Sequence, residues 1–256
     1  MTPDECAVKV LLDYDITGIP ALSFKKVFGA CNILCDEFEY NDPKYSGSLH
    51  RFPDHSIILV NTDNRYVPRQ NFTKAHELGH FFLKHKGDKF ECTTQDMKTN
   101  DAAHKPQELE ANRFASSLLL PKDRIELLID DDIFDISTIS EIANTYLVSL
   151  SVATIRTISL LKGSWCAVWT KNGIVEWVVS SPAFRNITIK LGEQIKQGSI
   201  AYKCFNDGFQ PYKGEYIKVP SDCWIKNPLI DMGVLELTKP LSSYNATLSL
   251  IKVSFS

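Results

Sequence analysis

The chain has 256 residues, with 28 Lys and Arg against 31 Asp and Glu, a formal net charge of −3 and 44% hydrophobic residues. That length can bury a core without help from disulfides or a structural metal, and corresponds to roughly one to three domains. The near balance of charge excludes a global attraction to nucleic acid or anionic lipid, so partners are recognised locally.

The opening stretch, "MTPDECAVKVLLDYD", is acidic and lacks the basic region and apolar core of an export signal, and no apolar run approaches a membrane span. Seven cysteines (Cys6, Cys31, Cys35, Cys92, Cys166, Cys204 and Cys223) form an odd, scattered set unlike a secreted disulfide framework. A soluble, cytoplasmic protein with reduced thiols is expected. Cys31 and Cys35 in "CNILC" have no second pair close by at zinc-site spacing, so packing is their expected role.

In chain order, "AVKVLLDY" and "PALSFKKVFGACNI" read as apolar helical stretches, and "HSIILVNTD" at 55–63 reads as a strand. A helix is expected over 71–86, with Lys84, His85 and Lys86 at its negative end and Gly87 as a left-handed cap. "KPQELEANRFASSLLLP" at 105–121 predicts another, bounded by Pro106 and Pro121. "KDRIELLI" and "STISEIANTYLVSLSVATIRTISLL" continue as helices, with Thr138 and Glu141 spaced as a capping box. From Trp165 onward, "WCAVWT", "GIVEWVVS" and "EYIKV" alternate with turn residues, and "TKNG" reads as a hairpin link. The expected organisation is α+β: a first domain over 1–122, a helical segment over 123–162 and a β-rich domain over 163–256.

"KAHELGH" at 74–80 carries the clearest chemistry. On a helix, each residue turns about 100°, so His76 and His80 lie on one stripe and both imidazoles can reach one ion. The Glu after the first His points toward the open coordination position, where it can take a proton from water. Phe72, Ala75, Gly79 and Phe82 form a neighbouring apolar stripe that sets the helix against a core. Gly79 costs roughly 1 kcal/mol of helix propensity relative to Ala, which marks either the close approach of another backbone or a ligand or tolerated slack. Two histidines on an ordinary packed helix remain the alternative until a third ligand is found.

In the 105–121 helix, Glu108, Asn112, Ala115 and Leu119 share the core-facing stripe, whereas Glu110 points nearly the opposite way. A buried, unpaired Glu108 is expensive and a divalent cation removes that cost, while Asn112 can fix the tautomer of a ligating histidine. The bland alternative is a solvated acidic helix start.

"RQNFTKAHELGHFFLKH" followed by "ELEANRFASSLLLP" closely resembles the ImmA/IrrE family of intracellular metallopeptidases, which pair an A-H-E-x-G-H helix with a later E-x-x-x-N-x-F-A-x-x-L-L-x-P helix. The resemblance is strong over about residues 55–122 and does not extend as a motif match beyond residue 163. It implies a zincin-like fold, with His76, His80 and Glu108 as metal ligands and Glu77 as the catalytic carboxylate. Zinc is the expected ion, with Mn2+ and Fe2+ suited to the same donors. It further implies limited, regulatory proteolysis of an intracellular protein, most often a helix-turn-helix repressor, in stress responses or mobile-element control.

The remaining features are less specific. "SIILVNTD" is the nearest candidate for a sheet edge that a peptide could extend, or else an interior strand. Tyr66, His104 and Tyr146 are conceivable oxyanion donors, whereas His50, His55 and His85 read as surface or capping residues. The helical segment has a helix-turn-helix outline, but its second helix offers only Arg156 to a nucleic acid and no basic stripe, which favours packing or protein contact over DNA binding. "DDD" at 130–132 reads as a solvated loop or helix-entry cluster, and the tryptophans of the β-rich end as core. A non-catalytic metal-binding sensor or interaction module on the same fold is the alternative to an enzyme.

Overall fold

The structure is a computed structural model that describes residues 1–42, 44–63, 66–93, 106–184, 188–211, 214–229 and 231–255. The chain forms two compact units, one of residues 1–124 and 142–152, the other of residues 125–141 and 153–256.

The first unit opens with α1 (Pro3–Asp13). Thr2 and Glu5 form a capping box, with the Glu5 N–H donating to Thr2 Oγ1 at 3.2 Å and the Thr2 N–H to Glu5 Oε2 at 2.8 Å. Its buried residues, Cys6, Ala7, Val10 and Leu11, recur at helical spacing. The expected helix over "PALSFKKVFGACNI" is divided: a 3-10 turn at Pro20–Ser23 leads into α2 (Phe24–Ala30), and the chain then enters β1 (Ile33–Phe38). Asn32, with φ +55°, makes that change of direction.

β1 joins β2 (Tyr45–Arg51), β3 (Ser56–Asn61) and β4 (Lys89–Thr93) in a sheet of order β1-β3-β2-β4. β1 and β3 run parallel, and β2 is antiparallel to both β3 and β4. "SIILVNTD" is therefore an interior strand, and the edges are β1 and β4. Ile58 and Val60 on β3 and Leu49 on β2 are fully buried.

α3 (Val67–Phe82) lies against this sheet. A Cβ on Gly47 of β2 would stand 2.5 Å from Thr73 Cγ2 and 2.6 Å from the Leu59 carbonyl oxygen, so only glycine lets the strand pass there. α3 begins and ends earlier than the sequence suggests. Pro68 suits its first turn, and Lys84 with φ +54°, rather than Gly87, turns the chain left-handed after the end. Arg51 substitutes for a conventional cap, donating to the carbonyls of His80 at 2.6 Å, His85 at 2.5 Å and Gly87 at 2.9 Å.

α4 (Pro106–Leu119) packs on α3 and α1, burying Ala111, Phe114, Ala115, Leu118 and Leu119; each large aliphatic or aromatic side chain contributes about 1.5–3 kcal/mol. Ser117 donates to Asp4 and ties α4 to α1. "KDRIELLI" forms only the short α5 (Lys122–Ile125), because Leu127 and Leu128 are exposed and no apolar face continues. α6 (Ile136–Thr145) and α7 (Leu150–Leu160) follow. Asp135, not Thr138, caps α6: its Oδ1 accepts from the Thr138 N–H at 2.8 Å and the Thr138 hydroxyl at 3.0 Å.

The second unit is built on an antiparallel sheet of β5 (Trp165–Lys171), β6 (Ile174–Ser180), β7 (Ile217–Val219), β8 (Met232–Leu241) and β9 (Ala246–Phe255), in the order β6-β5-β9-β8-β7. Asn172 and Gly173, both at positive φ, make the expected β5–β6 turn. Between β6 and β7 stands α8 (Ile200–Asp207), which sequence periodicity did not reveal. Ser199 caps it, and the buried Glu236 of β8 accepts from the Ile200 and Ala201 N–H groups at 2.9 and 2.8 Å. Asp131 of "DDD" accepts from the N–H groups of Lys162 and Gly163 and from Trp165 Nε1, so it is a structural acceptor. Trp165 and Trp224 are buried, whereas Trp169 and Trp177 stack half-buried at 5.8 Å.

Candidate metal centre

One turn of α3 separates His76 from His80, and the face of α4 opposite them presents Glu108 and Asn112. The two helices approach closely because Gly79 has no side chain: a Cβ there would lie 3.0 Å from Ala111 Cα and 3.1 Å from its carbonyl oxygen. The backbone that the glycine admits is α4, the helix that carries the carboxylate. His76, Glu77 and His80 are essentially inaccessible to solvent, and Glu108 and Asn112 are buried.

His76 Nε2 stands 3.1 Å from Glu108 Oε2 and 3.0 Å from His80 Nε2, and the third side of the triangle, His80 Nε2 to Glu108 Oε2, is 3.5 Å. The outer ring atoms decide what these groups can do. His76 Nδ1 lies 2.9 Å from Asn112 Oδ1, an acceptor, which places its proton on Nδ1. His80 Nδ1 lies 2.9 Å from His85 Nδ1, and His85 Nε2 lies 3.0 Å from Glu110 Oε2. Glu110 holds the proton of His85 on Nε2, so the His85 Nδ1 accepts and the proton of His80 sits on its Nδ1. Both Nε2 atoms then carry lone pairs, which face each other and a carboxylate oxygen with no proton among them. This is repulsive unless a cation sits within the triangle.

The dimensions suit one. A tetrahedral ion with bonds of about 2.0–2.1 Å separates neighbouring ligand atoms by about 3.3 Å. His76, His80 and Glu108 could therefore hold a divalent ion, with donors that suit zinc, manganese or iron. Burial keeps His80 neutral by lowering its pKa to about 4, against the opposing influence of the Glu108 carboxylate. Burial acts to raise the Glu108 carboxyl, but the adjoining His76 and His80 imidazoles outweigh it and hold the group below the usual carboxylate range. Two neutral imidazoles and one carboxylate leave a net charge of about +1 at a bound dication.

Glu77 is the second anomaly. Both carboxylate oxygens are buried without a hydrogen-bond partner among the described residues, and burial, followed by the Glu108 charge, pushes the carboxyl well above its ordinary range. An orphaned buried carboxylate costs several kcal/mol of desolvation unless another group meets it. It adjoins the ligand triangle. β4 closes this side: Phe90 stacks on the His80 ring at 4.4 Å, and Cys92 Sγ, a His76 nitrogen and a Glu77 oxygen lie within 4.8 Å of one another.

Of the residues singled out from the sequence, His76, Glu77, His80, Glu108 and Asn112 meet in space. His85 does not read as it should from sequence: it is buried against His80 rather than exposed, because the chain reverses after Phe82. Glu110 faces outward yet reaches His85, and the spacing of five between His80 and His85 is not a helical repeat that periodicity would detect. Tyr66 sits at the N-terminus of α3, half exposed, and Tyr146 is buried. His104 lies outside the described residues. His50 contacts Ser48, and His55 contacts Asp54.

Residues 38–157 match the family model of the IrrE N-terminal-like domain of the M78 peptidases. No curated protein sequence matches the chain. Among solved structures, a Mycobacterium tuberculosis transcriptional regulator is similar in fold, with a TM-score of 0.54 and 13% identity over 97% of this chain and 74% of that one. No helix among the described residues is long and apolar enough to cross a membrane. The helix pair that resembles the ImmA/IrrE pattern falls inside the matched segment, and residues 38–157 belong to that family of metallopeptidases.

Proposed function

We propose that this protein is a zinc-dependent endopeptidase that makes limited, regulatory cuts in an intracellular protein, a helix-turn-helix transcriptional repressor. The observation that carries the enzymatic reading is the convergence of His76 Nε2, His80 Nε2 and Glu108 Oε2 within 3.5 Å of one another, beside the Glu77 carboxylate, which has no hydrogen-bond partner among the described residues. A divalent ion held by the three ligands supplies Lewis acidity toward water and toward the scissile carbonyl. Asn112 and the His85–Glu110 pair keep both imidazoles in the ligating tautomer. Glu77 accepts the proton of the attacking water and delivers it to the departing amine. Its burial suits this role, since a carboxyl whose pKa is pushed above the ordinary carboxylate range is a stronger base toward water. β4 is the sheet edge nearest these groups, and a peptide extending it would pass over His76 and Glu77. The repressor as substrate rests on the family resemblance alone.

The test is incubation of purified protein plus zinc or manganese with a helix-turn-helix repressor encoded in the same genomic neighbourhood. One defined cut is expected, absent in Glu77→Gln, which should still bind metal. Near-full cleavage by Glu77→Gln would refute the base assignment. Metal binding without turnover on any such repressor would favour the non-catalytic sensor.

A further inference from the structure

β4 delivers a group that the peptidase reaction does not use. Phe90 and Cys92 alternate onto its buried face, while Lys89 and Glu91 are exposed and pair at 2.6 Å. Cys92 is 1% exposed, and its sulfur shares a 4.8 Å neighbourhood with His76 and with Glu77, whose unpartnered carboxylate is aimed into the same space. His76 thus belongs to two groups of potential ligands, one with His80 and Glu108 and one with Glu77 and Cys92. On a single tetrahedral ion, an imidazole nitrogen and a thiolate sulfur stand about 3.6 Å apart, given bonds of about 2.1 and 2.3 Å. The sulfur stands within 4.8 Å of a His76 nitrogen, so it and the ion must shift toward each other for both side chains to bind the same ion. The β2–β4 ladder shifts register between Tyr45 and Gly47, beside the pairs with Thr93 and Cys92, and such a bulge re-aims side chains on the facing strand.

We propose that Cys92 is a displaceable fourth ligand: its thiolate binds the ion held by His76, His80 and Glu108 on the side facing Glu77, and keeps the centre closed until a peptide arrives. The inference rests on the ligand assignment above. On ligation the S–H bond breaks, a sulfur–metal bond forms and the proton passes to the adjacent Glu77; when water and peptide enter, the proton returns to sulfur and the thiol withdraws. A thiolate ligand also biases the centre toward zinc over manganese, because soft sulfur suits the former.

X-ray absorption at the zinc edge of the intact, zinc-loaded protein tests this without any variant. One sulfur at about 2.3 Å among nitrogen and oxygen neighbours at about 2.0–2.1 Å is expected. A shell of nitrogen and oxygen alone, at one zinc per chain, would overturn the proposal and leave the peptidase reading standing. Failure to bind one zinc per chain would overturn the ligand assignment itself. In Cys92→Ala, one zinc should still bind, the sulfur signal should vanish, and the preference for Cd2+ over Mn2+ should fall at least tenfold. Cys35→Ala should change none of these. Persistence of sulfur in folded Cys92→Ala assigns it to another cysteine and also overturns the proposal.

Discussion

Replacing Gly79 by alanine sets two effects of opposite sign against each other. Helix propensity alone favours Ala by about 1 kcal/mol at an interior position. The structure opposes it: the new Cβ would stand 3.0 Å from Ala111 Cα, 3.1 Å from its carbonyl oxygen and 3.2 Å from Phe114 Cδ1. Two of the three are backbone atoms that cannot turn aside, so α3 and α4 must part by about half an ångström to restore ordinary contact. Overpacking of this kind costs about 1–3 kcal/mol, which leaves Gly79→Ala destabilised by about 0–2 kcal/mol, and Gly79→Val by more. The same displacement moves Glu108 and Asn112, which flank Ala111 on α4, away from His76, now 3.1 and 2.9 Å distant. Metal affinity should fall about tenfold, as when a partner that orients a ligand is lost. Thermal melting of the metal-free protein and zinc titration measure the two effects separately. A Gly79→Ala protein that melts several degrees higher and binds zinc as tightly as before would refute the reasoning.

Other substitutions separate ligands from supports. Glu108→Ala should abolish stoichiometric metal binding, whereas Glu110→Ala should weaken it only about 10–100-fold by releasing His85; metal content after gel filtration, followed by titration, distinguishes them. Asn112→Ala should fall in the same 10–100-fold range. Zinc at 100 times its dissociation constant should stabilise the first unit by about 2.7 kcal/mol, and an unchanged melting temperature would show that the ion does not bind the folded form. Glu236→Gln presents an amide NH2 where Glu236 Oε1 or Oε2 now accepts from two donors, among the Ile200, Ala201, Trp224 and Thr238 groups. It should cost about 1–3 kcal/mol in denaturant unfolding.

The helices around the candidate centre were legible in the sequence because each carries a long periodic pattern and terminal prolines. The shared stripe of Glu108, Asn112, Ala115 and Leu119 is wholly buried, and the cost of Gly79 found its reason in Ala111. What escaped depends on tertiary contact. β4 is five residues long and joins the sheet through pairing with β2, so nothing local announces that Phe90 and Cys92 reach α3. His85 comes to His80 only because Lys84 adopts a left-handed conformation and Arg51, from β2, accommodates the exposed carbonyls. Asp135 rather than Thr138 caps α6, since both residue types suit that position and the sequence does not choose between them. α8 is short and draws its stability from Ser199 and the distant Glu236.

Anomalous diffraction from crystals of the zinc-loaded protein, recorded on both sides of the zinc edge, tests the ligand assignment most directly. The expected result is a single strong peak within bonding distance, about 2.0–2.2 Å, of His76 Nε2, His80 Nε2 and a Glu108 oxygen. Fully loaded crystals with no peak among these three atoms, or with the ion bound elsewhere on the chain, would contradict it.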